Sequence, residues 1–357
     1  MRVAIFPAHA ESAASSRIRA YTLLRSLAGI GCETALADID GADVVLVQKR
    51  VSPELLDIIA RARDNGALIV YDVDDIGRAL WYHIAPTALF RLLGLVDVVI
   101  TDTEMHAESL RRDYGIAAVE IVPDAVDYDP VAPARPPLSD GKSLRVLWFG
   151  SASNIALFER DLPALQSIEG VQVVGLTNAH KLKALSARHP RVSFLPWARE
   201  TFVEVLQSCD LTVLSHDGSA ADLAKSNNRM IASITWGVPA LVSRTPEYER
   251  TAREAHIEYA VFGDETEMAG AIEHLRSPAA RNAYLDSAQP EIWDRYSPHA
   301  VARRFLDVVN SSQRRTGGVR PARFLPWLRR ASRGKAAWPA VYEAIHLARR
   351  LRGKVPS

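Results

Sequence analysis

The stretch DLAKSNNRMIASITWGVPALVS, residues 222–243, sets how the rest of the chain reads. A helix beginning near Ser226 stops at Gly237, and a short proline-led apolar run, 239–242, follows at once. In a parallel α/β fold a helix that hands straight back to a buried strand has its start at the carboxyl edge of the sheet, where such folds bind their ligands. Lys225 and Arg229 stand four residues apart at the start of that helix, where unpaired backbone N–H groups already make an electropositive end. Asn227 and Asn228 between them can cap or donate. A diphosphate suits this arrangement, because a point charge and a bidentate donor can hold successive phosphates. The plainer alternative is a solvated helix edge.

Outward from this segment, short apolar runs alternate with amphipathic stretches. The first half offers VAIF (3–6), TALADI (34–39), DVVLVQ (43–48), ALIVYD (67–72), DVVITD (97–102) and VEIVP (119–123) as strands, with helices over 17–28, 53–64 and 104–114. Continuous Val/Ile/Leu runs separated by helices mark parallel sheets covered on both faces. A proline-rich, polar stretch, DPVAPARPPLSDGKS (129–143), then reads as a linker. The pattern restarts with LRVLWFG, VQVVGL, RVSFLP, DLTVLS, PALVS and EYAVFG as strands, and helices near 156–167, 202–208, 227–236 and 265–275. The expected architecture is α/β: two tandem Rossmann-like, doubly wound domains with an interdomain cleft and a basic C-terminal helical tail. Its divisions are a first domain over 1–130, a linker over 131–143, a second domain over 144–290, a closing helix within 291–310 and a tail over 311–357.

The 357 residues are 48% apolar, enough for two cores, and the net charge is +1. That average hides an asymmetry. Residues 311–357 hold 12 of the 43 Lys and Arg but only one of the 42 acidic residues, Glu343. A mildly acidic body therefore precedes a strongly basic tail. Cys32 and Cys209 sit in apolar, strand-like contexts and read as core residues of a reduced, cytoplasmic protein. The N-terminus enters a strand without the apolar stretch of a signal peptide, and Arg91 and Asp97 cut the longest apolar run too early for a membrane span.

The run CDLTVLS…KSNNRMIASITWGVPALVSRTPEY resembles the nucleotide-sugar segment of GT-B glycosyltransferases, of the retaining, family 4-like kind. SSRIRAYTLLRSLAGIG, IVYDVDDI, VVITDTEMHAESLRRDYGI, VEIVPDAVDYDP, LRVLWFGSASN and VSFLPWARETFVEVLQSCDL resemble other pieces of that family in the same order, over about residues 1–310. The resemblance implies transfer of a sugar from a nucleoside diphosphate donor, held by the second domain, to a glycan or lipid-linked acceptor held by the first. It implies retention, no metal and no cofactor, and a place in polysaccharide biosynthesis. Carried over residue by residue, Lys225 and Arg229 match the catalytic diphosphate-contacting cations, with Ser226 and Asn228 beside them. Gly150 and Ser151 match the turn that lets backbone approach the phosphates. Trp197 matches the nucleobase loop, where it either stacks on a base or is a core tryptophan. The family's two glutamates, eight positions apart, are replaced by Ala224 and Ala232. Asp217 or Asp222 is the candidate substitute.

On the acceptor side, YDVDDIG (71–77) offers Asp72, Asp74 and Asp75. They read as residues facing acceptor hydroxyls or as a strand-end cap. A metal site is not expected, because the phosphate charge is already met by Lys and Arg. Arg17 and Arg19, at a helix start that Ser15 or Ser16 can cap, are candidates to meet a phosphate. His9 is either an acceptor-side base or a structural strand-end histidine, and His106, on a helix, reads as structural. The tail interleaves arginines with Phe324, Trp327, Trp338, Tyr342, Ile345 and Leu351, which suits an interfacial helix on anionic lipid at the inner face of the cytoplasmic membrane. A disordered tail and a docked helix are the alternatives, and nucleic acid is not the expected partner. Two other functions remain open: a nucleotide-sugar epimerase or hydrolase of related fold, and a non-catalytic sugar-nucleotide-binding protein. A dehydrogenase is disfavoured, since no G-x-G-x-x-G follows either first strand.

Overall fold

In the computed structural model, residues 1–75, 80 and 83–319 are described. They form two units, Met1–Ala125 together with the chain from Pro298 on, and Val126–Ser297. The first contains six strands, β1 (Arg2–Phe6), β2 (Glu33–Leu36), β3 (Val44–Gln48), β4 (Leu68–Asp72), β5 (Val98–Thr101) and β6 (Val119–Ile121). They pair in parallel in the order β2-β1-β3-β4-β5-β6. The second contains β7 (Leu144–Phe149), β8 (Val171–Thr177), β9 (Val192–Pro196), β10 (Leu211–Leu214), β11 (Ala240–Ser243) and β12 (Val261–Phe262). Their parallel order, β9-β8-β7-β10-β11-β12, is that of a dinucleotide-binding sheet. Each sheet is α/β and doubly wound, as the alternation of apolar runs requires. Strand order reverses between β1 and β3 in one unit and between β7 and β10 in the other, and the site residues gather at those two points.

Burial explains the runs. Every residue of β3, β4, β5, β10 and β11 is buried, so these strands carry apolar side chains on both faces. Helix ends follow local chemistry. Ser52 accepts from the Leu55 amide with Pro53 at the first helical position, which starts Pro53–Asp64. Thr103 caps Glu104–Tyr114 in the same way, and Gly115 closes it with a left-handed φ of 69°. At Gly237 (φ 83°) a Cβ would overlap Pro136 and the Ala134 carbonyl, so the turn that ends Asn228–Thr235 requires glycine twice over. The stretch 129–143, expected to be a linker, contains no helix or strand but belongs to the second unit, where the Ala134 amide donates to the Thr235 carbonyl (2.7 Å).

Several elements differ from expectation. The apolar run after residue 85 folds as a helix, Pro86–Leu93, begun by its own proline, and a further helix, Pro246–Glu254, is capped by Thr245. The single closing helix is two, Pro278–Tyr296 and Pro298–Ser311. Proline at 298 disfavours helical geometry at Ser297, which adopts φ −57°, ψ 149°. The second of these helices closes the first unit rather than the second. Its Val301, Ala302, Phe305, Val308 and Val309 are buried in one cluster with Val3, Ile5, Leu23 and Leu27.

The helix expected over 17–28 begins earlier, as Ala14–Ser16, and continues through a π-helical turn, Arg17–Thr22, into Leu23–Gly29. Ser16 therefore lies inside the helix and not at its cap, and its hydroxyl donates to Gln48 Oε1 (2.9 Å). The start of the basic tail lies against the first unit. Arg314 donates to the Arg63 carbonyl (2.6 Å), the Arg315 amide to Asp97 (2.7 Å) and the Val319 amide to the Leu93 carbonyl (2.8 Å). The amphipathic stretch expected over 341–352 lies outside the described residues. Among the described residues, no helix is long and apolar enough to cross a membrane.

Candidate functional site

In the second unit the loops after β7 and β10 meet around Arg229, which the first turn of Asn228–Thr235 carries to the carboxyl edge of the sheet. Its Nη1 donates to the Phe149 carbonyl at the end of β7 (3.3 Å), and its Nη2 lies 3.0 Å from His216 Nε2, just beyond β10. The guanidinium thus spans the two strands at the reversal of strand order. The backbone at Gly150 runs close to its neighbours: a Cβ there would stand 3.2 Å from the Trp148 ring, a tight contact, and 3.5 Å from Arg229 Nη1, an ordinary one. Ser151 is exposed and caps the short turn that follows, accepting from the Ser153 amide (3.3 Å).

Lys225 and Arg229 come to one place, linked through Asp222 and His216 in turn. Lys225 Nζ is 2.5 Å from Asp222 Oδ1, and Asp222 Oδ2 is 3.3 Å from His216 Nδ1. The Lys225 side chain is 41% exposed, whereas that of Asp222 is only 9% exposed, so the cation faces solvent from a fixed anchor. Burial raises the Asp222 carboxyl, but hydrogen bonds from Lys225 and from the Asp217 amide outweigh it and hold it well below the usual range. Burial and the neighbouring Arg229 push the His216 ring down to about 4. Asp217 is turned to local duty, its Oδ1 accepting from the Ser219 amide (2.8 Å), and of the two candidate carboxylates Asp222 is the one between the cations. Ser226 and Asn228 are half-buried in the same turn, while Asn227 is buried and donates to Thr251 Oγ1 (2.7 Å). Ala224 and Ala232 are fully buried, so a carboxylate at either position would stand in the interior.

Trp197 follows β9. It is half-buried, packs against the apolar core and donates through Nε1 to the Tyr128 hydroxyl (3.3 Å). Tyr128 in turn stacks on Phe202 at 4.0 Å. Trp197 thus packs against the margin of the core and keeps part of its surface open.

In the first unit the reversal point lies between β1 and β3. Gln48 ties the loop after β1 in place, accepting from the Ala8 amide (3.0 Å) and donating to the Ser15 carbonyl (3.0 Å). The His9 amide donates to Ser16 Oγ (3.0 Å). Next to Gln48, Lys49 adopts φ 51°, rare for a residue with a Cβ. Its buried Nζ lies 2.6 Å from Asp74 and 2.8 Å from Asp75. His83 Nε2 is 3.2 Å from Asp75, and the His83 and His9 rings meet edge to face at 5.8 Å. Burial raises the Asp75 carboxyl, yet hydrogen bonding from His83 and the charge on Lys49 bring it down to about 2. Burial lowers the His9 ring, helped by Arg50 and His83. Asp74, Asp75 and His9 thus share one locus, built around Lys49 and His83, which sequence reasoning passed over.

Arg19 and Asp72 do not belong to that locus. They form a bidentate pair inside the first unit, Arg19 Nη2 at 2.6 Å from Asp72 Oδ1 and Nε at 2.9 Å from Oδ2, with side chains 3% and 1% exposed. Arg19 Nη1 also meets Asp124 (2.9 Å) and the Val122 carbonyl (3.2 Å). Burial pushes the Asp72 carboxyl up, and the guanidinium limits the rise. Two residues expected to meet an acceptor therefore neutralise one another in the interior. Arg17 is likewise buried. His106 is buried too, with Nδ1 2.5 Å from Asp102 Oδ1. Among the described residues, no group of three or more His, Cys, Asp or Glu is placed to hold a metal ion.

Neither a protein-family model nor a curated protein matches the chain. Solved structures do. A structure of HepE from Anabaena in complex with UDP and glucose superposes with a TM-score of 0.59 at 14% identity, over 87% of this chain and 100% of that one. The DNA-modifying enzyme β-glucosyltransferase superposes at 0.56 and 12% identity, again over 87% and 100%. TarM superposes at 0.54 and 11% identity over 75% of this chain, which spans only 55% of the length of TarM. With its two six-stranded parallel sheets, the chain has the GT-B fold of these glycosyltransferases.

Proposed function

We propose that the chain transfers a glycosyl group from a nucleoside diphosphate sugar to a hydroxyl of a glycan or lipid-linked acceptor, with retention and without a metal. The observation that carries this reading is Arg229, held between the ends of β7 and β10 where a doubly wound sheet binds its ligand, with Lys225 in the loop just before its helix. The similar structures add support of a coarser kind: one contains UDP and glucose, and another was solved with and without uridine diphosphoglucose.

The proposed chemistry is electrostatic. As the bond from anomeric carbon to diphosphate lengthens, negative charge grows on the leaving oxygen. Fixed cations stabilise that charge more than they stabilise the bound donor, and this difference lowers the barrier. Arg229 offers paired N–H donors and Lys225 a mobile point charge. For retention, the acceptor hydroxyl enters on the face that the diphosphate leaves, and a diphosphate oxygen can take its proton. Asp74, Asp75 and His9 are the groups proposed to meet the acceptor.

Incubation with UDP-, GDP- and dTDP-sugars is expected to give slow hydrolysis of one donor, with release of the nucleoside diphosphate detected by mass spectrometry. Lack of both binding and hydrolysis across the panel would remove the donor assignment. A second part of the reading concerns location. Residues 320–357, outside the described residues, carry most of the basic charge and aromatic side chains of the tail, and are proposed to contact the anionic inner face of the cytoplasmic membrane. Deleting residues 320–357 is expected to abolish sedimentation with phosphatidylglycerol vesicles at low salt. Undiminished sedimentation would exclude the tail as the anchor.

A further inference from the structure

His216 lies between a cation and an anion that would otherwise attract each other. Arg229 Nη2 is 3.0 Å from its Nε2, and Asp222 Oδ2 is 3.3 Å from its Nδ1. A guanidinium can only donate and does not lose its proton, so Nε2 must offer a lone pair. The ring proton then sits on Nδ1, facing the Asp222 carboxylate at a distance where attraction is electrostatic more than hydrogen-bonded. Lys225 occupies the other oxygen of Asp222 (2.5 Å), and the Asp217 amide donates to Oδ2 (3.1 Å). The Tyr248 ring, from the helix Pro246–Glu254, lies 5.4 Å from the His216 ring on a further side.

We propose that His216 is a positioning residue: a neutral imidazole, protonated on Nδ1, that keeps the Arg229 guanidinium apart from Asp222 and aimed at the end of β7, where the donor diphosphate is to bind. The inference rests on the donor reading above. Without the ring, the carboxylate and the guanidinium flank an open gap, and a direct Arg229–Asp222 ion pair would withdraw the charge from the phosphate. With the ring present, Asp222 is committed to Lys225 and Nδ1–H, and both cations stay on the ligand side. An imidazolium would fail at this task, since it would face Arg229 and Lys225 and have no lone pair for Nη2. Burial and Arg229 keep the ring neutral until the pH falls to about 4. The main chain at 216 is anchored independently, its amide donating to Ser243 Oγ (2.7 Å) and its carbonyl accepting from Arg160 (3.4 Å), so the ring can be changed without releasing the loop.

Two measurements on the full chain test this. In calorimetric titrations with the nucleoside diphosphate of the accepted donor, His216→Ala is expected to weaken binding about tenfold or more, as for loss of a hydrogen bond to a charged group. Binding of the matching nucleoside monophosphate should change less than about twofold on the same reasoning. His216→Gln, whose amide oxygen can accept from Arg229, should recover most of the loss. Wild-type diphosphate affinity in His216→Ala, equal losses for both nucleotides, or no recovery in His216→Gln would overturn the proposal. In parallel, nitrogen NMR of the ligand-free protein labelled on histidine is expected to show His216 neutral and protonated on Nδ1 at pH 7. An Nε2–H tautomer or an imidazolium would overturn the proposal without any nucleotide, whereas a wild-type protein that binds no nucleoside diphosphate would overturn the donor reading instead.

Discussion

Replacing Arg229 with alanine is expected to lower glycosyl transfer by about a hundredfold or more, the loss typical when one preorganised charge-stabilising donor is removed, about 2.7–4 kcal/mol of barrier. The guanidinium bridges the Phe149 carbonyl and His216, so its position at the sheet edge is set before any ligand arrives. Lys225→Ala is expected to lose less, about tenfold or more, because that side chain is 41% exposed and its field is shared with solvent. Both variants should keep the far-UV spectrum and melting transition of the parent. Turnover of the accepted donor and acceptor then reads the barrier directly. Arg229→Ala turning over within threefold of wild type would remove this residue from the chemistry.

The second large effect is on stability. Asp72→Ala is expected to destabilise the protein by about 3–5 kcal/mol, the usual consequence of removing one partner of a buried ion pair. Arg19, 6% exposed as a residue, would retain Asp124 at 2.9 Å as an anionic partner. Arg19→Ala should be the worse of the two, since it removes the pair with Asp72 together with the contacts to Asp124 and the Val122 carbonyl. Equilibrium urea denaturation of the two variants checks the order, and losses below about 1 kcal/mol in both would show that the pair is better hydrated than its burial implies.

Where elements were legible, the reason is local. The apolar runs of β3, β4, β5, β10 and β11 stand out because all their residues are buried, and the ends of Pro53–Asp64 and Glu104–Tyr114 are written in Ser52–Pro53, Thr103 and Gly115. The fate of Pro298–Ser311 was not legible, since an amphipathic face does not say which core covers it. The Lys225–Arg229 pair was visible as two cations four positions apart at a helix start, although the helix begins only at Asn228 and leaves Lys225 in the loop before it. Arg19 and Asp72 were misread because their pairing spans 53 positions and shows only in three dimensions. His216 and Lys49 were missed as lone polar residues, although each lies within two residues of a strand end at a reversal of order, in LSHDGS and VQKR. That position is the signal that would have found them.

The return of the chain to its first unit at Pro298 has a consequence for biosynthesis. Val3, Ile5, Leu23 and Leu27 lack part of their apolar cover until Val301, Phe305 and Val309 leave the ribosome. The middle of the chain, Val126–Ser297, is compact in itself, whereas the N-terminal part is complete only with that last helix. A nascent chain stalled before residue 298 would display a greasy stripe on an otherwise finished sheet, the kind of surface that chaperones hold.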